Sequence, residues 1–221
     1  MVRIDRGIGR GWNVLVLNGE WQSMKFEIVE KKQLWKGFFS VESYAFRHEL
    51  FAGGWSDVVT REIFERGNAV AVLLHDPEAD SLLIVEQFRP GAAVRNPDDA
   101  WMIEIVAGMV EPGETREAVA RRESVGEAGV TVETLEHMLD YYPSAGGSSE
   151  IVSLYYAPVD LSRVEPGIRG LAHEHEDIRV SIVPRRTAMA WLRAGRIKAS
   201  LAIIALQWLA LRLDCGEEPV P

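Results

Sequence analysis

The chain has 221 residues, 47% of them hydrophobic and 26% charged, with a formal net charge of −9. That length and balance suit one large globular domain, or one domain and a smaller one, and exclude a disordered or fibrous chain. An acidic chain is a poor match for a nucleic-acid backbone, which needs a basic face, but it can bind a phosphate compound when metal ions stand between the negative charges.

Cys215 is the single cysteine. It allows no internal disulfide and fits a reducing cytoplasm. Met1 to Arg10 mixes charges with glycines and has no apolar core of a leader peptide. The most apolar run, Leu201 to Leu211, is broken by Gln207 and closed by Arg212; it is too short for a bilayer and reads as a buried helix. The expectation is a cytoplasmic protein with neither nucleic acid nor membrane as partner.

In chain order, residues 12 to 50 read as β-structure. "WNVLVLN", "MKFEIVE" and "GFFSVESYAFRHEL" are rich in aromatic and β-branched residues with partial alternation. "FAGGWSD" carries turn signals, and further strands are predicted at "DVVTREIFE", "NAVAVLLHD", "SLLIVEQF" and "WMIEIVA". "DPEAD", residues 76 to 80, predicts a hairpin turn, and "RPGAAVRNPDDA", residues 89 to 100, a loop. The first good helix spans 115 to 128. Strands resume at "ETLEHMLDYY", "EIVSLYYAPV" and "DIRVSIVP", and helices near 185–194 and 199–213 close the chain. Many strands before the first helix point to an α+β sandwich rather than a doubly wound parallel sheet.

The helix at 115–128 carries the chemistry. Thr115 is an N-cap, Glu117 lies in the first turn where the helix dipole favours a carboxylate, and Gly129 is a stop. Glu123 and Glu127 are four apart, so they share a face. Two carboxylates there repel each other unless a cation bridges them, and oxygen-only ligands suit Mg²⁺ or Mn²⁺. The carbonyls of the glycine-flanked loop between Gly108 and Gly113 could add ligands. The competing reading is a solvated face on which Arg116, Arg121 and Arg122 offset the glutamates.

The spacing decides between them. From Gly108 through Glu114 to Arg122-Glu123, Glu127, Gly129 and Val130, the segment resembles the Nudix box, G-x5-E-x7-R-E-U-x-E-E-x-G-U, with U a bulky aliphatic residue. Seven of its nine specified positions match. Ser124 stands where an aliphatic residue is expected, and Gly126 where the first glutamate of the pair is expected. The wider segments "GFFSVESYAFRHELF", "REIFERGNAVAVLL", "IVEQFRPGA", "EIVAGMVEPGE", "GLAHEHEDIRV" and "IALQWL" resemble the ADP-ribose pyrophosphatase branch of that family.

The resemblance implies a Nudix-type α/β/α sandwich with a mixed sheet plus an N-terminal antiparallel β region. It divides the chain into a dimerisation region at 1–55, a catalytic domain at 56–214 and a polar tail at 215–221. It implies a homodimer that uses Mg²⁺, or Mn²⁺, to hydrolyse the diphosphate of ADP-ribose to AMP and ribose 5-phosphate. Glu123, Glu127 and the Ala107 carbonyl are the implied metal ligands. Glu174, in "HEHED", is the implied general base, with Glu176 as its support. Phe38, Arg61, Arg89 and Met109 are implied to contact substrate: an aromatic ring can stack on adenine, and an arginine fork suits phosphate oxygens. Glu114 and Arg122 brace the metal helix. His173 and His175 invite a zinc site, but no cysteine or third histidine lies nearby and the H-E-x-x-H spacing is absent.

Two departures bear on activity. Gly126 removes a carboxylate and costs a helix about 0.5–1 kcal/mol relative to Ala. "YYPSAGGSSE" has Ala145 where ADP-ribose hydrolases carry the proline of an S-P-G segment. Another sugar, as in ADP-glucose or GDP-mannose, is therefore the alternative substrate, and a non-catalytic nucleotide-sugar sensor is a more distant one.

Overall fold

The structure is a computed structural model that describes residues 24–170 and 175–215. The strand expected at 12–18, His173, Glu174 and residues 216–221 of the tail lie outside these.

An antiparallel three-stranded sheet comes first: β1 (Phe26–Lys36), β2 (Ser40–His48) and β3 (Val59–Glu65), in that order. β1 runs well past the expected "MKFEIVE" to Lys36, because "KKQLWK" pairs with the start of β2 as far as Lys36↔Ser40. β3 pairs along β2 from Phe46↔Val59 to Ser40↔Glu65, so this sheet extends beyond residue 55.

The second sheet is mixed and eight-stranded. It comprises β4 (Ala69–Asp76), β5 (Ser81–Phe88), β6 (Trp101–Glu104), β7 (Val106–Met109), β8 (Glu136–Tyr141), β9 (Val152–Pro158), β10 (Gly167–Arg169) and β11 (Ile178–Pro184). Its spine is β10-β11-β5-β4-β9-β8, with β6 on β5 and β7 on β4. Among its described strands, only β4 and β9 pair in parallel. The turn at 76–80 joins β4 to β5 as expected, with Asp80 at φ +47. The two strands then pair only at His75↔Leu82 and Asp76↔Ser81 before they separate.

The gap between β4 and β5 is filled by the segment expected as one strand, "WMIEIVA". It changes partner at Ile105, which is fully buried. β6 pairs with β5 from Phe88↔Trp101 to Val85↔Glu104, and β7 pairs with β4 from Val72↔Val106 to Ala69↔Met109. The chain entering this split is not all loop: α1 (Pro90–Arg95) and a 3-10 turn at Pro97–Asp99 occupy it, both opened by proline. Proline suits that first helical position, because its φ is preset and the missing N–H has no helical partner to lose.

Helices cover both faces of this sheet. Val70, Val72, Leu74, Leu83 and Val85 face α2 (Arg116–Ala128) through Val119, Ala120 and Ala128. Ala71, Leu73, Leu82, Ile84 and Tyr156 face α3 (Arg185–Arg193) and α4 (Ser200–Asp214) through Ala188, Ala202, Ala205, Leu206 and Leu209. The alternation along β4 thus serves two cores, giving the expected α/β/α sandwich. Among the described residues no helix is long and apolar enough to cross a membrane.

Candidate active site

α2 is held at both ends by the residues its sequence advertises. The Thr115 hydroxyl accepts from the Ala118 N–H at 3.2 Å. Gly129 ends the helix at φ +68, where the Gly129 and Val130 N–H groups donate to the Val125 and Ser124 carbonyls. A Cβ on Gly129 would also lie 2.9 Å from the Arg169 guanidinium. Ser124, at the aliphatic position of the motif, is fully buried, and its hydroxyl donates to the Ala120 carbonyl at 2.8 Å. Gly126 has no atom within 4 Å of where its Cβ would stand, so that face of the helix is open.

The split between β4 and β5 brings β7 against this helix. Glu127 is 2% exposed, and its Oε2 accepts from the Ala107 N–H at 3.0 Å. Burial pushes its carboxyl up to about 8; the negative charges of Glu123 and Glu176 add to this, while the Ala107 hydrogen bond and Arg89 act against it. Gly108 lies so close to Glu123 that a Cβ would stand 1.9 Å from its Oε1. Backbone and carboxylate therefore share a cradle that only glycine leaves open.

Arg122 ties the helix to the preceding loop. It holds both Glu114 oxygens at 3.0 Å through Nε and Nη2, donates to Glu123 Oε1 at 2.7 Å through Nη1, and reaches the Met109 carbonyl at 3.5 Å. Glu114 also accepts from the Glu111 N–H at 3.2 Å. The Arg122 guanidinium holds the Glu114 carboxyl below its usual range, and Glu114 in turn raises Arg122.

Arg89 directly follows β5, at the start of α1, where its N–H bonds the Ala100 carbonyl at 2.7 Å. Its Nε and Nη2 donate to Glu104 Oε2 at 2.9 and 2.6 Å. Glu104 is 4% exposed and also accepts from Gln87 Nε2 at 3.5 Å. The structure thus gathers Ala107, Met109, Glu114, Arg122, Glu123, Glu127, Glu176 and Arg89 at one end of the sheet. Gly170, at φ +105, leaves room for Glu176, whose Cβ would be 2.7 Å from a Cβ there. His175, before it, takes the left-handed φ of +57.

Phe38 and Arg61 stand apart, on the three-stranded sheet. Phe38 is 86% exposed with its ring edge-on to Phe39, and Arg61 donates to the Thr60 carbonyl at 2.8 Å. That sheet is tied to the loop holding Ala145: the Phe64 N–H donates to the Gly147 carbonyl at 2.8 Å, and the Ser149 hydroxyl to Glu65.

Glu104 and Gln87 were not candidates on sequence; a lone carboxylate inside the apolar "WMIEIVA" was the signal that could have found Glu104. Among the described residues no three His, Cys, Asp or Glu side chains are grouped tightly enough to hold a metal ion by themselves. A cation here needs oxygen from the backbone or solvent as well, which hard divalent ions accept. The donor set fits such an ion: a carboxylate raised by burial first, and then by two neighbouring ones, gains most from a positive charge, and Gly108 keeps backbone at the Glu123 carboxylate.

The chain is similar to proteins of known activity over most of its length. It is 46% identical over 190 residues to the ADP-ribose pyrophosphatase of Haemophilus influenzae, covering 84% of this chain and 86% of that one. It is equally identical over 185 residues to the ADP-ribose pyrophosphatase of Escherichia coli K12, covering 84% and 88%. The GDP-mannose pyrophosphatase of Cronobacter sakazakii is 32% identical over 193 residues, covering 86% and 97%. A solved structure of an ADP compounds hydrolase shares the fold, with a TM-score of 0.61 at 19% identity over 88% of this chain and 97% of that one. The NUDIX domain family matches residues 65–201, a span that holds the whole carboxylate cluster and the core beneath α2, and with these relatives it shows that the chain belongs to the Nudix hydrolases.

Proposed function

We propose that this protein hydrolyses the diphosphate of ADP-ribose, giving AMP and ribose 5-phosphate, with Mg²⁺ as its metal and Mn²⁺ able to replace it. The observation that carries the reading is the buried Glu127 beside Glu123, set against the Ala107–Gly108 backbone with Arg89 nearby. Glu123, Glu127 and the Ala107 carbonyl would hold the metal. When bound, it neutralises the diphosphate and lowers the cost of the charge that develops on the phosphoryl oxygens.

The protein's own groups do the rest. Glu174 takes a proton from the attacking water, and Glu176 supports it. Arg89 grips phosphate oxygens and Met109 packs against the nucleotide, while Phe38 and Arg61, which stand apart on the sheet that pairs two copies, reach the substrate across the dimer interface, the ring on adenine and the guanidinium on phosphate. Arg122 and Glu114 keep Glu123 on the helix face it must occupy. Residues 1–55 pair two copies, and the exposed Trp35, Phe38 and Phe51 of this region support that role. The net charge of −9 supports a small-molecule substrate over nucleic acid or an anionic membrane, and the single cysteine supports a cytoplasmic setting.

The test is direct. The purified protein is incubated with ADP-ribose and Mg²⁺, with and without EDTA, and the products are separated by chromatography. AMP and ribose 5-phosphate formed only with metal support the proposal; no turnover by the folded protein overturns it. Ala145 favours a second reading, the same chemistry on another sugar, so ADP-glucose and GDP-mannose belong in the same assay. A higher kcat/KM on either would move the substrate assignment and leave the reaction class intact.

A further inference from the structure

We infer that Glu104 is a positioning residue, one that aims the Arg89 guanidinium at the substrate diphosphate; the inference rests on the function proposed above. Three observations carry it. Glu104 is a buried carboxylate, 4% exposed, in a strand otherwise made of apolar residues. One of its oxygens, Oε2, accepts from Arg89 Nε at 2.9 Å, from Arg89 Nη2 at 2.6 Å and from Gln87 Nε2 at 3.5 Å. Among the described residues, Arg89 makes its side-chain hydrogen bonds through those two nitrogens alone.

The planar guanidinium has two edges that can each hold an oxyanion. Glu104 occupies the Nε–Nη2 edge, and the Nη1–Nη2 edge is left to face a second oxyanion. The Arg89 side chain is 37% exposed while that of Glu104 is 5% exposed, so the fork reaches outward from a buried anchor. Both partners are fixed at the backbone. Arg89 is held by the Ala100 carbonyl at 2.7 Å, and Glu104 ends β6 opposite Val85. The split in the sheet is what puts Glu104 there: β6 leaves β5 after Glu104, and β7 then carries Ala107 and Gly108 to the carboxylates of α2. One short segment therefore aligns the phosphate-binding arginine with the metal ligands.

A buried carboxylate with a single guanidinium partner would add little to stability over an apolar pair of the same volume. Its use here is geometric. A free arginine samples many rotamers, whereas one gripped at two nitrogens offers a preset edge, and such preorganisation acts on substrate binding and turnover rather than on the fold.

The test uses Glu104→Gln, which keeps the volume and one acceptor oxygen, and Glu104→Asp, which keeps the charge but draws the anchor back by one methylene. Each is measured alone and in an Arg89→Ala background for kcat and KM on ADP-ribose, for melting temperature, and for affinity toward α,β-methylene ADP-ribose, a diphosphate analogue that cannot be hydrolysed. Both single variants are expected to lose about tenfold or more in kcat/KM and in analogue affinity, the scale of a charge-assisted hydrogen bond. In the Arg89→Ala background the same changes should cost less than about twofold, because Glu104 acts only through Arg89. Additive losses in the two backgrounds, or losses that track melting temperature, would overturn the inference. If the wild type turns over no ADP-ribose yet binds the analogue with this pattern, the proposed reaction fails and the positioning role stands. If it binds no diphosphate, both fail.

Discussion

Glu127→Gln in metal-free protein separates the charge on this side chain from its shape. The carboxyl is pushed up to about 8 from a usual value of 4.5, and burial is the main cause. A carboxyl whose folded pKa is raised adds stability that is fully present below pH 4.5 and is lost as pH rises toward 8, since the unfolded chain ionises first. At 1.36 kcal/mol per pH unit, the wild type loses about 3 kcal/mol by pH 7 and about 5 kcal/mol by pH 9 relative to its acid form. These are upper bounds, because water entry and side-chain relaxation reduce them. Glutamine can keep the hydrogen bond from the Ala107 N–H and does not titrate. In EDTA, urea unfolding should therefore find the variant close to wild type near pH 4.5 and more stable at pH 8.5, by up to about 5 kcal/mol. Millimolar Mg²⁺ should restore most of that difference in the wild type and little in the variant, since ligand binding adds stability only to the form that binds. Parallel stability curves for the two proteins between pH 5 and 9 in EDTA would refute the argument.

Three further substitutions probe the same cluster. Gly108→Ala puts a Cβ 1.9 Å from Glu123 Oε1, so the carboxylate must swing outward; a tenfold to hundredfold rise, roughly, in the Mg²⁺ needed for half-maximal turnover is expected, with the fold retained by circular dichroism. Gly126→Glu enters open space, so it should fold and stabilise the helix by up to about 1 kcal/mol in urea titration, less about 0.3 kcal/mol for repulsion from neighbouring carboxylates. It should also lower the half-maximal Mg²⁺ concentration; an unchanged Mg²⁺ dependence would mean the absent carboxylate is irrelevant. Arg122→Lys keeps the charge but not the two-pronged hold on Glu114, so kcat/KM on ADP-ribose should fall about tenfold while stability changes by less than about 1 kcal/mol, the scale of a half-exposed pair.

How much of this was legible depends on whether a feature is local. The α2 helix could be read to the residue, because Thr115, Glu117 and Gly129 act within a turn of their own position. The carboxylate pair was equally plain, since a spacing of four fixes a common face whatever the rest of the chain does. The break at Ile105 was not legible. "WMIEIVA" is apolar on both faces, as a central strand should be, and nothing in such a run says that its two halves serve different neighbours. The helix at 90–95 was hidden for a related reason: proline and glycine signal a turn and a helix start alike, and six residues are too few to show a period.

The site inherits this division. Glu123 and Glu127 could be found from sequence because one helix carries both. Their backbone partner Ala107 came from the family resemblance alone; spacing could not give it, because Ala107 and Gly108 meet them only where β7 crosses to β4. Glu104 is the sharpest case. It stands alone in an apolar strand, and a buried carboxylate is costly unless paired. Its partner, Arg89, lies fifteen residues away, at the end of another strand. Only the antiparallel register Val85↔Glu104 closes that distance. An ionisable residue inside a core strand is therefore best read as half of a pair whose other half sits at a neighbouring strand end, where side chains turn from the core to the site.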